Sequence, residues 1–129
     1  MITIEDKDLL LKDLSARLPY GVKCKTNIVG HPVKLAAAYI NGDVVFGALM
    51  TEIDKVKPYL FPLSSMTKEQ EEEYHSICML VFIEGEGEGE GGKYLDTLKS
   101  FDWLNAHHFD YRGLIEKGLA IDATGLDIY

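Results

Sequence analysis

The first eighteen residues repeat apolar side chains with the period of a helix. One face of that helix collects Leu10, Leu11, Leu14 and Leu18. Thr3 is placed to cap its start, and Pro19 and Gly21 end it. The pairs Asp8–Lys12 and Asp13–Arg17 have i,i+4 spacing in the favourable order. The pattern predicts an amphipathic helix that packs on the protein's own sheet and carries both pairs on its wet side.

The next segment alternates apolar and polar residues with the period of a strand and contains the turn dipeptide Asn41-Gly42. The pattern predicts an antiparallel meander of three strands over 22–29, 33–40 and 43–50. Pairing Ile40 with Asp43 across a two-residue turn predicts one buried face, made of Val33, Leu35, Ala37, Tyr39, Val44, Phe46, Ala48 and Met50. The strand from Val22 to Val29 is expected at a sheet edge, where strand addition would allow a homo-oligomer.

Two prolines change the pattern after this meander. Because Pro58 and Pro62 cannot donate to a sheet ladder, we expect Lys57–Met66 to be an extended connector rather than a central strand. Thr67-Lys68-Glu69-Gln70 is a capping box and predicts the start of a second helix. That helix is favoured through Ile77–Ile83, although this apolar run also suits a buried strand.

Alternating Glu and Gly residues fill 84–92 and predict a mobile loop. A third helix is expected from Lys93 to His107, with Trp103 and His107 one turn apart. Phe109–Gly113 suits an exit turn, and the tail suits a loop with a short closing strand. The predicted fold is a single α+β domain over 1–129, with a short antiparallel sheet of about three to four strands against about three helices.

Composition narrows the possible functions. The chain has 129 residues, 47% of them hydrophobic, and a net charge of −8. Residues 22–68 carry six basic and three acidic side chains, and residues 69–129 carry four basic and 14 acidic ones. This acidity argues against nucleic-acid binding, because a negative protein is repelled by phosphates. Two cysteines without a secretion signal or a long apolar run indicate a cytoplasmic protein that neither spans nor binds a membrane.

The densest group of titratable residues is His107-His108-Phe109-Asp110-Tyr111-Arg112. Adjacent histidines lie about 100° apart on a helix and cannot both ligate one ion from one face. We expect His107 to stack on Trp103, His108 to lie toward the core, and Asp110 to accept a hydrogen bond from either imidazole. His107, His108, Asp110 and Arg112 are therefore the candidate catalytic residues.

A second candidate site is a metal site on the second helix. His75 and Cys78 are three residues apart and share a helix face, and with Cys24 or His108 nearby in space they would form a Cys/His zinc site. No Cys-x-x-Cys pair accompanies them, and cysteines are often simply buried. No cofactor is predicted, because the glycines at 87, 89 and 92 lack the surrounding βαβ unit of a dinucleotide site.

Two stretches carry a resemblance to a known group of proteins, namely Lys57–Thr67 and Asp102–Ile115 with its continuation Lys117–Ala120. They resemble small uncharacterised proteins encoded in prophages and other mobile elements of gut anaerobes, in which a proline tends to replace Glu116. The resemblance implies a cytoplasmic, phage-associated setting and no particular activity.

Three functions remain open from the sequence. The leading hypothesis is a non-catalytic binding or accessory module that acts on a protein partner. The second is a small metal-dependent or hydrolytic enzyme that uses the turn His107–Arg112. The third is an acidic inhibitor that mimics DNA.

Overall fold

The computed structural model describes residues 2–85 and 99–129, with side chains described up to residue 77 and again from residue 99. Helix α1 spans Ile4–Arg17, and the Thr3 hydroxyl accepts a hydrogen bond from the Asp6 N–H at 3.0 Å. A single 3-10 turn, Leu18–Tyr20, follows, and Gly21 closes it with a left-handed φ of 72°. The predicted helix, its cap and its end are confirmed.

In the described residues, eight short strands form two sheets. They are β1 (Lys23–Lys25), β2 (Val33–Lys34), β3 (Ala37–Ala38), β4 (Asp43–Phe46), β5 (Leu49–Glu52), β6 (Lys57–Pro62), β7 (Phe109–Asp110) and β8 (Ile121–Asp122). The larger sheet has the order β2-β1-β6-β7 with β8 also paired to β6, and the smaller sheet has the order β3-β4-β5. An α+β fold is confirmed, but the single antiparallel sheet is wrong, since β7 and β8 run parallel to β6. The closing strand expected in the tail is β8.

The hairpin at Asn41-Gly42 forms with a register one residue away from the predicted one. Ala37 pairs with Val45, and the Gly42 N–H donates to Tyr39 O at 2.9 Å, so the loop has three residues and Gly42 takes a φ of 94°. A shift of one residue exchanges the faces of a strand. Val44 and Phe46 are buried as predicted, whereas Tyr39 is 53% exposed.

The predicted long strand over 43–50 is interrupted. Gly47, with a φ of 66°, begins a tight turn after Phe46, and β5 folds back to pair Leu49 with Phe46. Met50 therefore lies on the open face of the small sheet, 62% exposed, instead of in the core. Val33 pairs with Cys24 in the other sheet, so the predicted meander is split between two sheets.

Strand β6 is the centre of the larger sheet, which overturns the expected extended connector. Pro58 pairs with Cys24 of β1, and Pro62 pairs with Asp110 of β7. Each neighbour follows β6 for only two residues, so the ladder forms without an amide donor from either proline. β1 has neighbours on both sides, so the edge expected at Val22–Val29 is also wrong, and β2 forms that edge.

Two further helices lie beside this sheet. Helix α2 spans Lys68–Gly85 and starts at the predicted capping box, in which Gln70 N donates to Thr67 Oγ1 and Thr67 N donates to Gln70 Oε1. The run at 77–83 is helical. Residues 84 and 85 end α2, and the rest of the predicted mobile loop at 84–92 lies outside the described residues. A third helix, α3, includes residues 99–106.

The described residues form two apolar clusters. The main one joins α1 to both sheets through buried residues such as Leu14, Val44 and Leu60. The smaller one places Trp103, Leu104 and Phe109 against partly buried residues of α2 and β6. No helix among residues 2–85 and 99–129 has the length and apolar character needed to cross a bilayer.

Candidate functional site

The turn after α3 holds the predicted catalytic residues. His108 leaves the helix with a left-handed φ of 62°, and Phe109 and Asp110 then pair with β6 as β7 rather than forming the expected exit turn. Phe61 N donates to His108 O at 2.8 Å, which fixes the turn to the central strand. The turn is therefore built into the sheet.

His107 packs on its own helix. Its ring stacks on Trp103 with 4.1 Å between ring centroids and 27° between ring planes, and its Nδ1 lies 2.9 Å from Trp103 O. This confirms the predicted stack. The hydrogen bond is consistent with a proton on Nδ1, because a carbonyl oxygen can only accept.

His108 packs against the tail of the chain. Its ring lies parallel to the Tyr129 ring, with 3.7 Å between centroids, and its Nδ1 is buried without a hydrogen-bond partner among the described residues. Burial, together with the nearby charges of Arg17, His107 and Lys23, lowers the pKa of His108 to about 4. His108 is therefore neutral near pH 7.

Asp110 does not accept from an imidazole, contrary to the prediction. Its Oδ1 accepts from Leu114 N at 2.9 Å and its Oδ2 accepts from Ile115 N at 3.0 Å. Both carboxylate oxygens thus hold the turn that follows β7. Tyr111 donates its hydroxyl to Asn105 Oδ1 at 2.8 Å and ties the same turn to α3.

Arg112 belongs to an ionic cluster with Asp13 and Arg17. The position of this cluster shows that the predicted wet-side location of the Asp13–Arg17 pair is wrong. Asp13 and Arg17 are fully buried rather than on the wet side, with 2.7 Å between Asp13 Oδ2 and Arg17 Nε. Arg17 Nη2 donates to Phe109 O, so α1 is linked to β7. Arg112 Nε lies 3.3 Å from Asp13 Oδ1, and both guanidinium groups lie 5.2 Å from the centre of the Tyr111 ring. Burial raises the pKa of Asp13, and the two arginines oppose that rise.

Among the described residues, three of the four candidate catalytic residues border separate cavities. His107 borders a cavity of about 230 Å³, Asp110 borders one of about 420 Å³, and Arg112 borders one of about 700 Å³. General acid–base chemistry needs groups that reach one substrate atom together. The three cavities that His107, Asp110 and Arg112 border in the described part of the chain therefore offer no common site for these residues.

The predicted metal pair of His75 and Cys78 stays a prediction. His75 is exposed on α2, and the side chain of Cys78 lies outside the described ones. Cys24 is fully buried in β1, where desolvation raises the pKa of its thiol. Among the described residues, no three His, Cys, Asp or Glu side chains form a metal-binding group.

The cavity at Arg112 is an open groove between α1 and the β3–β4 loop, here called the α1 groove. It has a volume of about 700 Å³ and is lined by Asp8, Leu11, Lys12, Ser15, Ala38, Ile40 and Arg112. A smaller cavity of about 130 Å³ shares Asp8, Leu11 and Ile40 with it and extends it to Ile4, Lys7, Asn41, Gly42 and Ile53. The groove therefore runs along one side of α1.

The sequence reasoning missed this groove. The sequence pattern predicts Ile40 at the end of a strand, whereas the three-residue loop places it at the tip, 96% exposed. The signal was Gly42, because a glycine at the third loop position favours a type I turn followed by a left-handed residue. Arg112 was identified as a candidate, but its position beside α1 depends on the contact with Asp13.

Comparison with known proteins found no match to the chain among protein-family models, curated proteins or solved structures.

Proposed function

We propose that the chain is a non-catalytic binding module that takes a segment of a protein partner into the α1 groove. The observation that carries the proposal is the exposure of Ile40 on the groove's rim, where 96% of the residue is accessible. Ile4, which lines the smaller cavity together with Ile40, is 78% exposed. Exposed apolar residues grouped beside a groove are typical of interaction surfaces.

The dimensions and lining of the groove suit a polypeptide. A volume of about 700 Å³ is at the scale that accepts several side chains. Leu11 and Ala38 supply apolar lining, and Ile40 lies where a bound segment would cover it. Covering an exposed isoleucine contributes about 1.5–3 kcal/mol to binding.

The hydrogen bonding of the turn at 107–112 also supports binding over catalysis. Asp110 uses both carboxylate oxygens on backbone N–H groups, and His107 bonds the Trp103 carbonyl. These hydrogen bonds stabilise the turn and occupy the polar atoms of His107 and Asp110 that make them. The resemblance of the same region to prophage proteins supports a partner in the cytoplasm of a bacterial host, and an accessory role for a mobile element is part of the proposal.

Affinity capture with matched variants tests the proposal. Immobilised wild-type protein, Ile40→Ser and Met50→Ser are compared in lysate of the organism that encodes the chain. Met50 is also exposed, at 62%, but lies on the open face of the small sheet away from the groove lining. We expect a partner that wild type and Met50→Ser retain and Ile40→Ser loses.

Three outcomes would overturn the proposal. One is a partner retained equally by all three proteins, and another is no partner at all. The third is a homodimer in solution that Ile40→Ser dissociates, because it would assign the groove to a second copy of the chain.

A further inference from the structure

Arg112 gives the α1 groove a fixed positive group. Its Nε lies 3.3 Å from Asp13 Oδ1, and its guanidinium carbon lies over the Tyr111 ring. Asp13 is fully buried and also binds Arg17, so it cannot move without breaking that pair. Arg112 is therefore held from one edge, while 30% of its side chain remains exposed.

The outer nitrogens of Arg112 have no acceptor in the described protein. None of its nitrogens makes a hydrogen bond there, and Nε alone is buried, so Nη1 and Nη2 are open to solvent. A guanidinium carries paired donors whose spacing matches a carboxylate. Arg112 is positioned by the ion pair between its Nε and Asp13, and its two solvent-exposed Nη groups can therefore donate hydrogen bonds to a carboxylate of a ligand.

The charges along the groove point the same way. Lys7, Lys12 and Arg112 line it against one carboxylate, Asp8, although the whole chain carries −8. No ion pair within 4.0 Å joins Asp8 to Lys12 among the described residues. A local positive groove in an acidic protein selects a partner with a few carboxylates, while the total charge repels a polyanion.

From these observations, and resting on the proposed function, we infer that the α1 groove binds an acidic–apolar peptide segment whose Asp or Glu carboxylate is bound by Arg112. An apolar side chain of the same segment covers Ile40 and Leu11. Lys12 adds a second positive charge beside the arginine. The inference names the partner's chemistry as a peptide rather than a nucleic acid, because the groove combines apolar lining with only a few cations.

Selection from a displayed library of random 12-residue peptides tests this inference. Wild-type protein should enrich peptides that place an apolar residue near an Asp or Glu. The best synthetic peptide should lose about tenfold in affinity when its acid is changed to the amide, and about tenfold on Arg112→Gln. Because both changes remove one interaction, the two together should cost little more than either alone.

Controls separate a lost contact from a damaged fold. Lys117→Gln removes an exposed positive charge outside the groove lining and should bind like wild type. Arg112→Lys retains the charge and should recover part of the affinity. If Arg112→Gln lowers the urea midpoint, the acid-to-amide change in the peptide still tests the contact on intact wild-type protein.

The outcomes distinguish this inference from the proposed function. Enrichment of apolar peptides without an acidic residue overturns the role of Arg112 and leaves the binding groove in place. If wild-type protein enriches no peptides beyond those that Ile40→Ser enriches, both the inference and the proposed function are overturned. Tighter binding of a 12-nucleotide single strand than of any selected peptide overturns the peptide assignment.

Discussion

The ring of His108 lies parallel to the ring of Tyr129, with 10° between the planes and 3.7 Å between the centroids. The Tyr129 hydroxyl accepts from Lys23 N at 2.9 Å and donates to Tyr59 O at 2.7 Å. Lys23 and Tyr59 are the next facing residues after the pair Cys24 and Pro58. A side-chain hydroxyl from the tail thus continues the ladder between β1 and β6 beyond its last direct pair.

Tyr129→Phe should destabilise the protein by about 1–2 kcal/mol, because two backbone groups lose their partner. The measurement is the free energy of unfolding in urea. Tyr39→Phe is the matched control, since Tyr39 is 53% exposed and its hydroxyl makes no hydrogen bond in the described residues. A loss no larger than that of the control would contradict the bridging role.

The stability of the protein should fall as the pH drops from about 6.5 to about 4. The pKa of His108 is about 4 in the folded protein, chiefly because of burial, and 6.5 for an ordinary histidine. Between pH 6.5 and 4, His108 is therefore protonated in the unfolded chain and neutral in the folded one. The unfolded state is therefore favoured as the pH falls, and the contribution is complete above about 6.5. Allowing for solvent screening at a partly exposed ring, we expect a loss of about 1–2 kcal/mol.

Urea titrations at several pH values check this dependence. His108→Asn tolerates the left-handed backbone and should remove this part of the pH dependence. His75→Asn, on an exposed histidine of α2, should leave it as in wild type. Parallel curves for wild type and His108→Asn would show that His108 does not titrate in this range.

Asp13→Asn should cost about 3–5 kcal/mol, because it leaves the charge of Arg17 buried without its carboxylate. Asp13→Leu combined with Arg17→Met removes both charges and should recover much of that loss. Thermal and urea unfolding measure both variants, with Asp8→Asn on the exposed face of α1 as the control. A loss below about 1 kcal/mol would argue against a tight buried pair.

Asp110→Asn should destabilise the turn after β7 by about 1.5–3 kcal/mol. One carboxylate oxygen becomes an amide NH₂, which cannot accept from Leu114 N or Ile115 N. Amide hydrogen exchange at these two residues should accelerate more than exchange in α1. Glu116→Gln is the nearby exposed control, and equal exchange in the two variants would contradict the capping role of Asp110.

Local hydrogen bonds explain the predictions that the sequence supported well. The Thr3 cap, the Thr67–Gln70 capping box and the Trp103–His107 stack each join residues three or four positions apart. Such contacts depend on helix geometry alone, and helix geometry can be read from residue spacing. The candidate turn at 107–112 was likewise visible as a dense group of polar residues.

Tertiary pairing decided what these residues do. Lys57–Pro62 form a strand because they pair with β1, β7 and β8. Asp13 and Arg17 are buried where Arg17 donates to the carbonyl oxygen of Phe109, 92 residues further along the chain. Tyr39 and Ile40 are exposed because the hairpin loop has three residues rather than two. The two loop types differ little in energy, so local sequence propensity does not decide between them. Spacing along the chain thus defined the helices and their caps, whereas only the folded contacts could select the sheet register, bury the ion pair and open the groove beside α1.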